Sequence, residues 1–230
     1  MARRRMVKPI FLRLYHTGER QKKKLLKFKY LIMKTIIAAG LAKAYTYEEY
    51  RLRLKNLLAE GKSSGDEQSD DLLHYSQLNE TRMNRLDKTI KITPEVETLL
   101  KNLKSEFIWL VLSEGWCGDA AQTLPIMHKM AQLTEAVELK IAFRDENPEL
   151  MNLFLTNGSK SVPKLIVLEK DSLNVVAHWG PRPADAIKLV LDYKAKFGAI
   201  DETIKTDLQM WYLHDKGVST QNEIVALLKS

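Results

Sequence analysis

The residue with the clearest chemical potential is Cys117, the only cysteine among 230 residues. Where an apolar run ends and a helical pattern begins, the sequence reads Glu114-Gly115-Trp116-Cys117-Gly118-Asp119-Ala120. A cysteine at a helix N-terminus lies near unpaired N–H groups and the positive end of the helix dipole, which stabilise a thiolate. Asp119 opposes this effect, so we expect a thiol less acidic than the most reactive catalytic cysteines. The alternative is an ordinary buried cysteine, which is common in protein cores.

The elements around Cys117 follow an alternating pattern. The continuous apolar run from Phe107 to Leu112 is typical of a strand buried on both faces. Apolar and polar residues alternate from Leu86 to Ile92, which predicts a short first strand. Further strands are predicted at 137–143, 164–169 and 174–179, with helices at 94–104, 117–133, 148–156 and 183–197. The order βαβαβαββα predicts an α/β fold.

Helical patterns flank this alternating region on both sides. We therefore divide the chain into a basic tail over 1–32, a helical extension over 33–87, an α/β domain over 88–197 and C-terminal helices over 198–230. We expect the C-terminal helices to pack on the domain.

Positive charge is concentrated at the start of the chain. Residues 1–32 hold eleven basic residues against Glu19 alone, whereas the remainder carries a net charge of −3. Because an amphipathic stretch opens at Met33, we favour Met33 as the native start. The alternatives are a basic arm that binds nucleic acid or an anionic surface by counterion release, and a solvated tail. No apolar run is long enough to span a membrane, so we expect no membrane partner, and a nucleic-acid partner only if the tail is present. The stretch from Met33 to Ala44 faintly resembles a secretory signal, but its apolar part is barely seven residues long, so we expect a cytoplasmic protein.

Metal and cofactor chemistry finds little support in the sequence. No pair of histidines has the spacing of metal ligands, and no glycine-rich loop suits a phosphate. We expect no metal and no cofactor. The scattered histidines are His16, His74, His128, His178 and His214.

Around Cys117 the chain resembles the thioredoxin superfamily, over about residues 88–197. Trp116-Cys117-Gly118 matches the Trp-Cys-Gly opening of that family, and Ser161-Val162-Pro163 resembles its cis-proline segment. Further matches are Pro125 in the following helix, Asp145-x-Asn147-Pro148 after the third strand and Trp179-Gly180 after the fifth. The resemblance implies a thioredoxin fold, with a central mixed sheet flanked by helices, and a site containing Cys117 and Pro163.

More narrowly, the chain resembles a group of bacterial thioredoxin-like proteins with a helical N-terminal extension. The segments that match this group are Tyr47 to Arg51, Arg82 to Asp87 and Trp179 to Pro183. Residues 1–32 lie outside this resemblance, which also favours a start near Met33.

Two positions depart from the pattern of dithiol thioredoxins. Ala120 stands where that family has its second cysteine, so the chain has no internal thiol to resolve a mixed disulfide. Val111 stands where the family has a buried aspartate that assists proton transfer. Both departures are consistent with a monothiol protein and with a loss of catalysis.

The implied topology brings four loops to the edge of the sheet that carries Cys117, namely 113–117, 144–148, 158–163 and 179–183. A cis peptide before Pro163 would leave the Val162 backbone to pair with an extended substrate. Arg144 and Arg182 either act on the thiol or a substrate carboxylate, or form salt bridges with Asp145 or Asp119. The residues expected to support Cys117 are Trp116, Gly118, Asp119, Val162, Arg144 and Arg182, with Asp145 and Lys160 nearby.

Three functions are compatible with these residues. The first is monothiol redox exchange, in which Cys117 attacks a protein or low-molecular-weight disulfide and an external thiol completes the cycle. The second is a non-catalytic module that binds a protein through the groove of the fold. The third is peroxide sensing, in which Cys117 oxidises to sulfenic acid and then bridges to another protein.

Overall fold

The computed structural model describes residues 11–228. Within that range nine helices and four strands follow one another along the chain. The helices are α1 (Phe11–Ala42), α2 (Tyr47–Ala59), α3 (Asp70–Thr89), α4 (Pro94–Lys101), α5 (Gly118–Ala131), α6 (Pro148–Leu153), α7 (Ala184–Phe197), α8 (Glu202–Asp215) and α9 (Val218–Ala226). The strands are β1 (Phe107–Ser113), β2 (Val137–Phe143), β3 (Lys164–Glu169) and β4 (Val175–Trp179).

The four strands form one mixed sheet in the order β2-β1-β3-β4. β1 pairs parallel with β2 and antiparallel with β3, and β3 pairs antiparallel with β4. Trp109 in β1 lies opposite Leu139 in β2 and Val167 in β3, and its side chain is fully buried. The mixed sheet flanked by helices, expected from the resemblance, is therefore confirmed.

The predicted first strand over Leu86–Ile92 is wrong. α3 continues to Thr89, because Glu80, Asn84 and Asp87 lie on one helical face and all bind the guanidinium of Arg51 in α2. A strand would point neighbouring members of this set in different directions and break these contacts. The outer edge of β2 is instead paired at one point, where Tyr45 and Ile141 exchange two backbone hydrogen bonds of 2.8 Å.

The N-terminal helix α1 crosses the boundary that the sequence indicated at Met33. Its C-terminal part docks on the domain: Ile37 is fully buried, and a Cβ on Gly40 would lie 2.5 Å from Cδ2 of Leu150. Residues 21–32 of the same helix are exposed. The first ten residues of the predicted basic tail lie outside the described residues, and a native start at Met33 stays a prediction.

The C-terminal helices occupy two different places on the domain. α8 packs against α7 through an apolar cluster that is separate from the main core and contains Val190, Leu208 and Tyr212. α9 packs against α4 and α5, and its Ile224 belongs to the main core. None of the described helices is both long enough and apolar enough to cross a bilayer.

Candidate functional site

Cys117 is the N-cap of α5 and follows β1 after a short loop. Its Sγ accepts a hydrogen bond from the N–H of Ala120 at 3.5 Å and donates one to the carbonyl oxygen of Val162 at 3.2 Å. The residue is only 7% exposed. The fold therefore holds the thiol at a helix N-terminus, as the sequence predicts, but in a site closed to solvent.

The segment facing Cys117 is Val162-Pro163, directly before β3. The peptide bond between these two residues is cis, and Val162 is buried. The loop after β4 presses against this segment, since a Cβ on Gly180 would lie 2.2 Å from the carbonyl oxygen of Pro163. Gly180 also has a φ of +113°, so a side chain at this position would be strained as well as crowded.

Burial dominates the acidity of Cys117. It raises the pKa of the thiol to about 12, and the charge of Asp119 adds to the increase. The N–H groups of Ala120 and Asp119 and the guanidinium of Arg182 act in the opposite direction but are outweighed. The helix N-terminus that favours a thiolate is present, and desolvation overrides it. In this closed conformation the thiol is protonated at neutral pH.

Asp119 is held from two sides. Its Oδ2 pairs with Nε of Arg182 at 2.7 Å, and its Oδ1 accepts a hydrogen bond of 2.9 Å from the hydroxyl of Tyr212 in α8. Burial raises the pKa of Asp119, and the charge of Arg182 opposes that increase. The sequence left two roles open for Arg182, an action on the thiol or substrate and a salt bridge, and the structure contains the salt bridge with Asp119. Sequence reasoning did not identify Tyr212 as part of the site, and this contact has no signal in the local pattern.

α8 and α3 together cover the site. Gln122 in α5 donates a 2.7 Å hydrogen bond to Gln209 of α8. Asn79 in α3 donates a 2.9 Å hydrogen bond to the carbonyl of Gly115. A Cβ on Gly118 would lie 3.6 Å from Nε2 of Gln209 and 3.7 Å from a nitrogen of Arg82. α3 and α8, which lie almost entirely outside the α/β domain predicted from the sequence, thus cover the start of α5 next to the thiol.

Trp116 and Arg144 form a second pair at the rim of the site. The guanidinium of Arg144 lies over the ring of Trp116, 4.9 Å from its centroid. Its Nε pairs with Asp145 at 2.7 Å, and another nitrogen donates to the carbonyl of Lys160 at 3.4 Å. Arg144 is therefore held mainly by its own loop, and the salt bridge with Asp145 is the alternative that the structure contains.

Glu114 is a buried carboxyl that sequence reasoning missed. Its side chain accepts hydrogen bonds from the hydroxyl of Ser64 and, at 3.0 Å, from the N–H of Asp145. Ser64 also accepts a 2.7 Å hydrogen bond from the N–H of Gly115. Burial raises the pKa of Glu114 to about 7. The sequence contained one signal, a charged residue directly after a buried strand and beside the Trp-Cys-Gly motif.

Among the side chains that the structure describes, those of residues 21–228, no group of three or more histidine, cysteine, aspartate or glutamate residues is arranged to hold a metal ion. The groups that meet at Cys117 are a thiol, a backbone carbonyl and the Asp119-Arg182-Tyr212 cluster. Such groups are able to transfer protons and bind disulfides or peptides.

A mixed sheet with a thiol at the helix start after its central strand, facing an X-Pro segment, defines the class of thioredoxin-fold proteins. A family model described as Thioredoxin (Thioredoxin_9) matches residues 65–197. The chain belongs to this thioredoxin family. The search of curated proteins found no match.

Two solved structures with low sequence identity share the fold. A protein of unknown function from Pseudomonas aeruginosa is 15% identical with a TM-score of 0.51, over 80% of this chain and 98% of that one. An HIV epitope scaffold is also 15% identical, with a TM-score of 0.50 and the same coverage. The NTD_N/C domain of alkylhydroperoxide reductase AhpF from Enterococcus faecalis is 14% identical with a TM-score of 0.34, over 42% of this chain and 45% of that one.

Proposed function

We propose that the protein carries out thiol–disulfide exchange through Cys117 alone, with the thiol held beneath α8 until α8 moves away. The observation that carries the proposal is the position of Sγ, at the N-terminus of α5 and 3.2 Å from the carbonyl of Val162. An extended disulfide substrate that paired with the Val162 segment would have one of its sulfurs close to Sγ.

The surroundings of Cys117 argue against a purely structural cysteine. An inert buried cysteine packs as a small apolar residue and needs only apolar neighbours. Cys117 instead has next to it the carboxyl of Asp119, which is itself buried and paired with Arg182. Burying charged groups is costly, and perturbed ionisable groups in clusters are common at functional sites.

The chemistry needs a second thiol from outside the chain. After Cys117 loses its proton, its thiolate attacks one sulfur of a disulfide, forming a mixed disulfide and releasing the other sulfur as a thiolate. Because Ala120 cannot resolve the mixed disulfide, an external thiolate attacks it, becomes disulfide-bonded to the substrate and regenerates the Cys117 thiolate. The substrate class is a protein or low-molecular-weight disulfide. This cycle requires a reducing compartment, for which we propose the cytoplasm.

The closed conformation keeps the exchange slow. With a pKa of about 12, the thiolate fraction at neutral pH is on the order of one in 100,000. Two hydrogen bonds join α8 to α5: the hydroxyl of Tyr212 donates to Asp119, and Gln122 donates to Gln209. The apolar side chains of α8 pack on α7 instead. The α7–α8 pair is therefore able to separate from α5 without dividing the main core, and this motion would expose and acidify the thiol.

A second candidate is a non-catalytic module that binds a protein partner. The observation in its favour is the 7% exposure of Cys117 together with its raised pKa. In that case Cys117 has only a packing role, and the Cys117→Ser variant retains every partner that wild type binds.

Mixed-disulfide formation distinguishes the two candidates. We would incubate the reduced chain with oxidised glutathione and follow intact mass, with Cys117→Ser as the matched control. Monothiol exchange predicts a single glutathione adduct on wild type, none on the control, and release of the adduct by an added thiol. If neither wild type nor Tyr212→Phe, in which the attachment of α8 is weakened, forms an adduct, the thiol is structural. The binding module is then the better account.

A further inference from the structure

Residues 21–32 of α1 leave their leucine, phenylalanine and isoleucine side chains exposed, and the hydroxyl of Tyr30 donates a hydrogen bond to Asn174 of the domain. Docking of α1 on the core involves its C-terminal part, where Ile37 is fully buried and Met33 and Ile36 are partly buried. From residue 21 to residue 32 every side chain is exposed. This stretch is named the α1 arm below.

The α1 arm is amphipathic. Leu25, Phe28 and Ile32 recur at the spacing of one helical face and are 54%, 61% and 42% exposed. Leu26 and Leu31, at 66% and 61% exposure, add to the apolar surface. An exposed apolar surface of this kind on a monomer indicates an interaction site.

The charge of the α1 arm is of one sign. Its charged residues are Lys22, Lys23, Lys24, Lys27 and Lys29. Lys23 and Lys27 project from the side of the helix opposite Leu25 and Phe28, and the other lysines flank the apolar face. No acidic residue occurs between Glu19 and Glu48, so the α1 arm itself contains no acidic residue.

We propose that the α1 arm binds the surface of an anionic lipid bilayer, lying in the plane of the headgroups. Leucine and phenylalanine side chains would enter the boundary between headgroups and acyl chains, while the lysines contact lipid phosphates. This proposal departs from the sequence-based expectation of no membrane partner. The binding is independent of Cys117 and would concentrate the domain at the membrane.

Two other occupants fit these features less well. Nucleic acid would neutralise the lysines but leave Leu25 and Phe28 in water, so it uses half of the surface. A second copy of the chain could cover the apolar face, but it would bring two sets of five lysines together without acidic partners. An anionic bilayer uses both the charge and the apolar face.

Vesicle co-sedimentation of the full-length chain tests the proposal. Binding to vesicles of phosphatidylcholine and phosphatidylglycerol would be compared with binding to pure phosphatidylcholine, at low and at physiological salt. The charge variant is Lys22→Gln/Lys23→Gln/Lys24→Gln, and the apolar variant is Leu25→Gln/Phe28→Gln. The matched control removes three exposed lysines elsewhere, as Lys91→Gln/Lys104→Gln/Lys194→Gln.

We expect binding to the anionic vesicles only, weakened about 100-fold in the charge variant, since each of its three lysines near an anionic surface contributes about fivefold. The apolar variant also loses binding, and the control retains it. Three outcomes overturn the proposal. The first is no binding of wild type to vesicles, and the second is binding to duplex DNA that the apolar variant retains. The third is self-association of a wild-type chain that does not bind vesicles, when the apolar variant abolishes that self-association. A native product whose mass begins at Met33 would also overturn it.

Discussion

The hydroxyl of Tyr212 in α8 donates a 2.9 Å hydrogen bond to Asp119, two residues beyond the thiol of Cys117. Asp119 also pairs with Arg182, so a single carboxyl joins the start of α5 to the loop before α7 and to α8. The attachment of α8 and the electrostatics of the thiol therefore depend on the same group. A substitution of Arg182 or Tyr212, the two partners of Asp119, therefore alters the surroundings of the Cys117 thiol.

Tyr212→Phe should expose the thiol more often. The phenylalanine keeps the ring that packs in the α7–α8 cluster but loses the hydrogen bond to Asp119, and a hydrogen bond to a charged group contributes roughly 1.5–3 kcal/mol. We expect the rate of Cys117 alkylation by iodoacetamide at neutral pH to rise about tenfold or more. Tyr45→Phe, beside the outer edge of β2, serves as the control and should leave the rate unchanged. An unchanged rate in Tyr212→Phe would show that α8 does not limit access.

Asp119→Asn should lower the pKa of Cys117 below about 12, because the charge of Asp119 raises that pKa and would be removed. Burial, the larger cause, remains, so the pKa should stay above that of a free cysteine, about 8.5. Thiolate absorbance in the ultraviolet across a pH titration measures the change. Asp185→Asn, in the exposed first turn of α7, is the control. A pKa in Asp119→Asn equal to or above that of wild type would contradict the electrostatic account.

Glu114→Gln should change how stability depends on pH. The folded pKa of Glu114 is raised from 4.5 to about 7, so the folded state binds the proton more tightly than the unfolded state. Stability from this group is present below pH 4.5 and is lost as the pH rises to about 7. The loss is about 3 kcal/mol across that window.

Urea unfolding of wild type and Glu114→Gln at a series of pH values measures this effect. The glutamine oxygen is able to accept from the N–H of Asp145, its NH2 group is able to donate to the hydroxyl of Ser64, and the side chain does not ionise. The difference in free energy of unfolding, wild type minus variant, should therefore decrease between pH 4.5 and 7. A difference that stays constant over this range would show that Glu114 titrates normally.

Arg51→Met should loosen the helical extension. The side chain of Arg51 is 8% exposed and pairs with Glu80, which is 14% exposed, at 3.0 Å. Removing the guanidinium leaves the partly buried carboxylates of Glu80 and Asp87 without a counterion, which costs about 3 kcal/mol. Arg53→Met, two residues away on the exposed side of α2, should change stability by less than about 0.5 kcal/mol. Urea unfolding of both variants tests the contrast, and equal losses would remove the special role of Arg51.

The strands of the sheet were predictable because their burial leaves a local pattern. The bounds of β2 and β3 agree with the sequence-based ranges, since apolar residues at these positions occur in short runs between turn signals. The segment from Leu86 to Ile92 was wrongly predicted as a strand, because its alternation of apolar and polar residues is short enough to fit the end of a helix as well. The choice between the two depends on Arg51, which lies far away in the sequence and binds Glu80, Asn84 and Asp87 as a set.

The position of Cys117 at a helix start could be predicted because it depends on a few neighbouring residues. The groups that control the reactivity of Cys117 could not be predicted from the sequence. Tyr212 is 93 residues from Asp119, and Ser64 is 50 residues from Glu114. Hydrogen bonds over such separations leave no periodic signal in a single sequence.

The amino-acid sequence is enough to recognise a thioredoxin-family chain with one cysteine at the start of a helix and no internal thiol to resolve a mixed disulfide. Those conclusions follow from residue identity and local spacing. The three-dimensional packing was needed to learn that the thiol is covered, that Asp119 binds Arg182 and Tyr212, and that the α1 arm is exposed. Solvent exposure and pKa depend on what packs around a group, and the packing partners here come from distant parts of the chain.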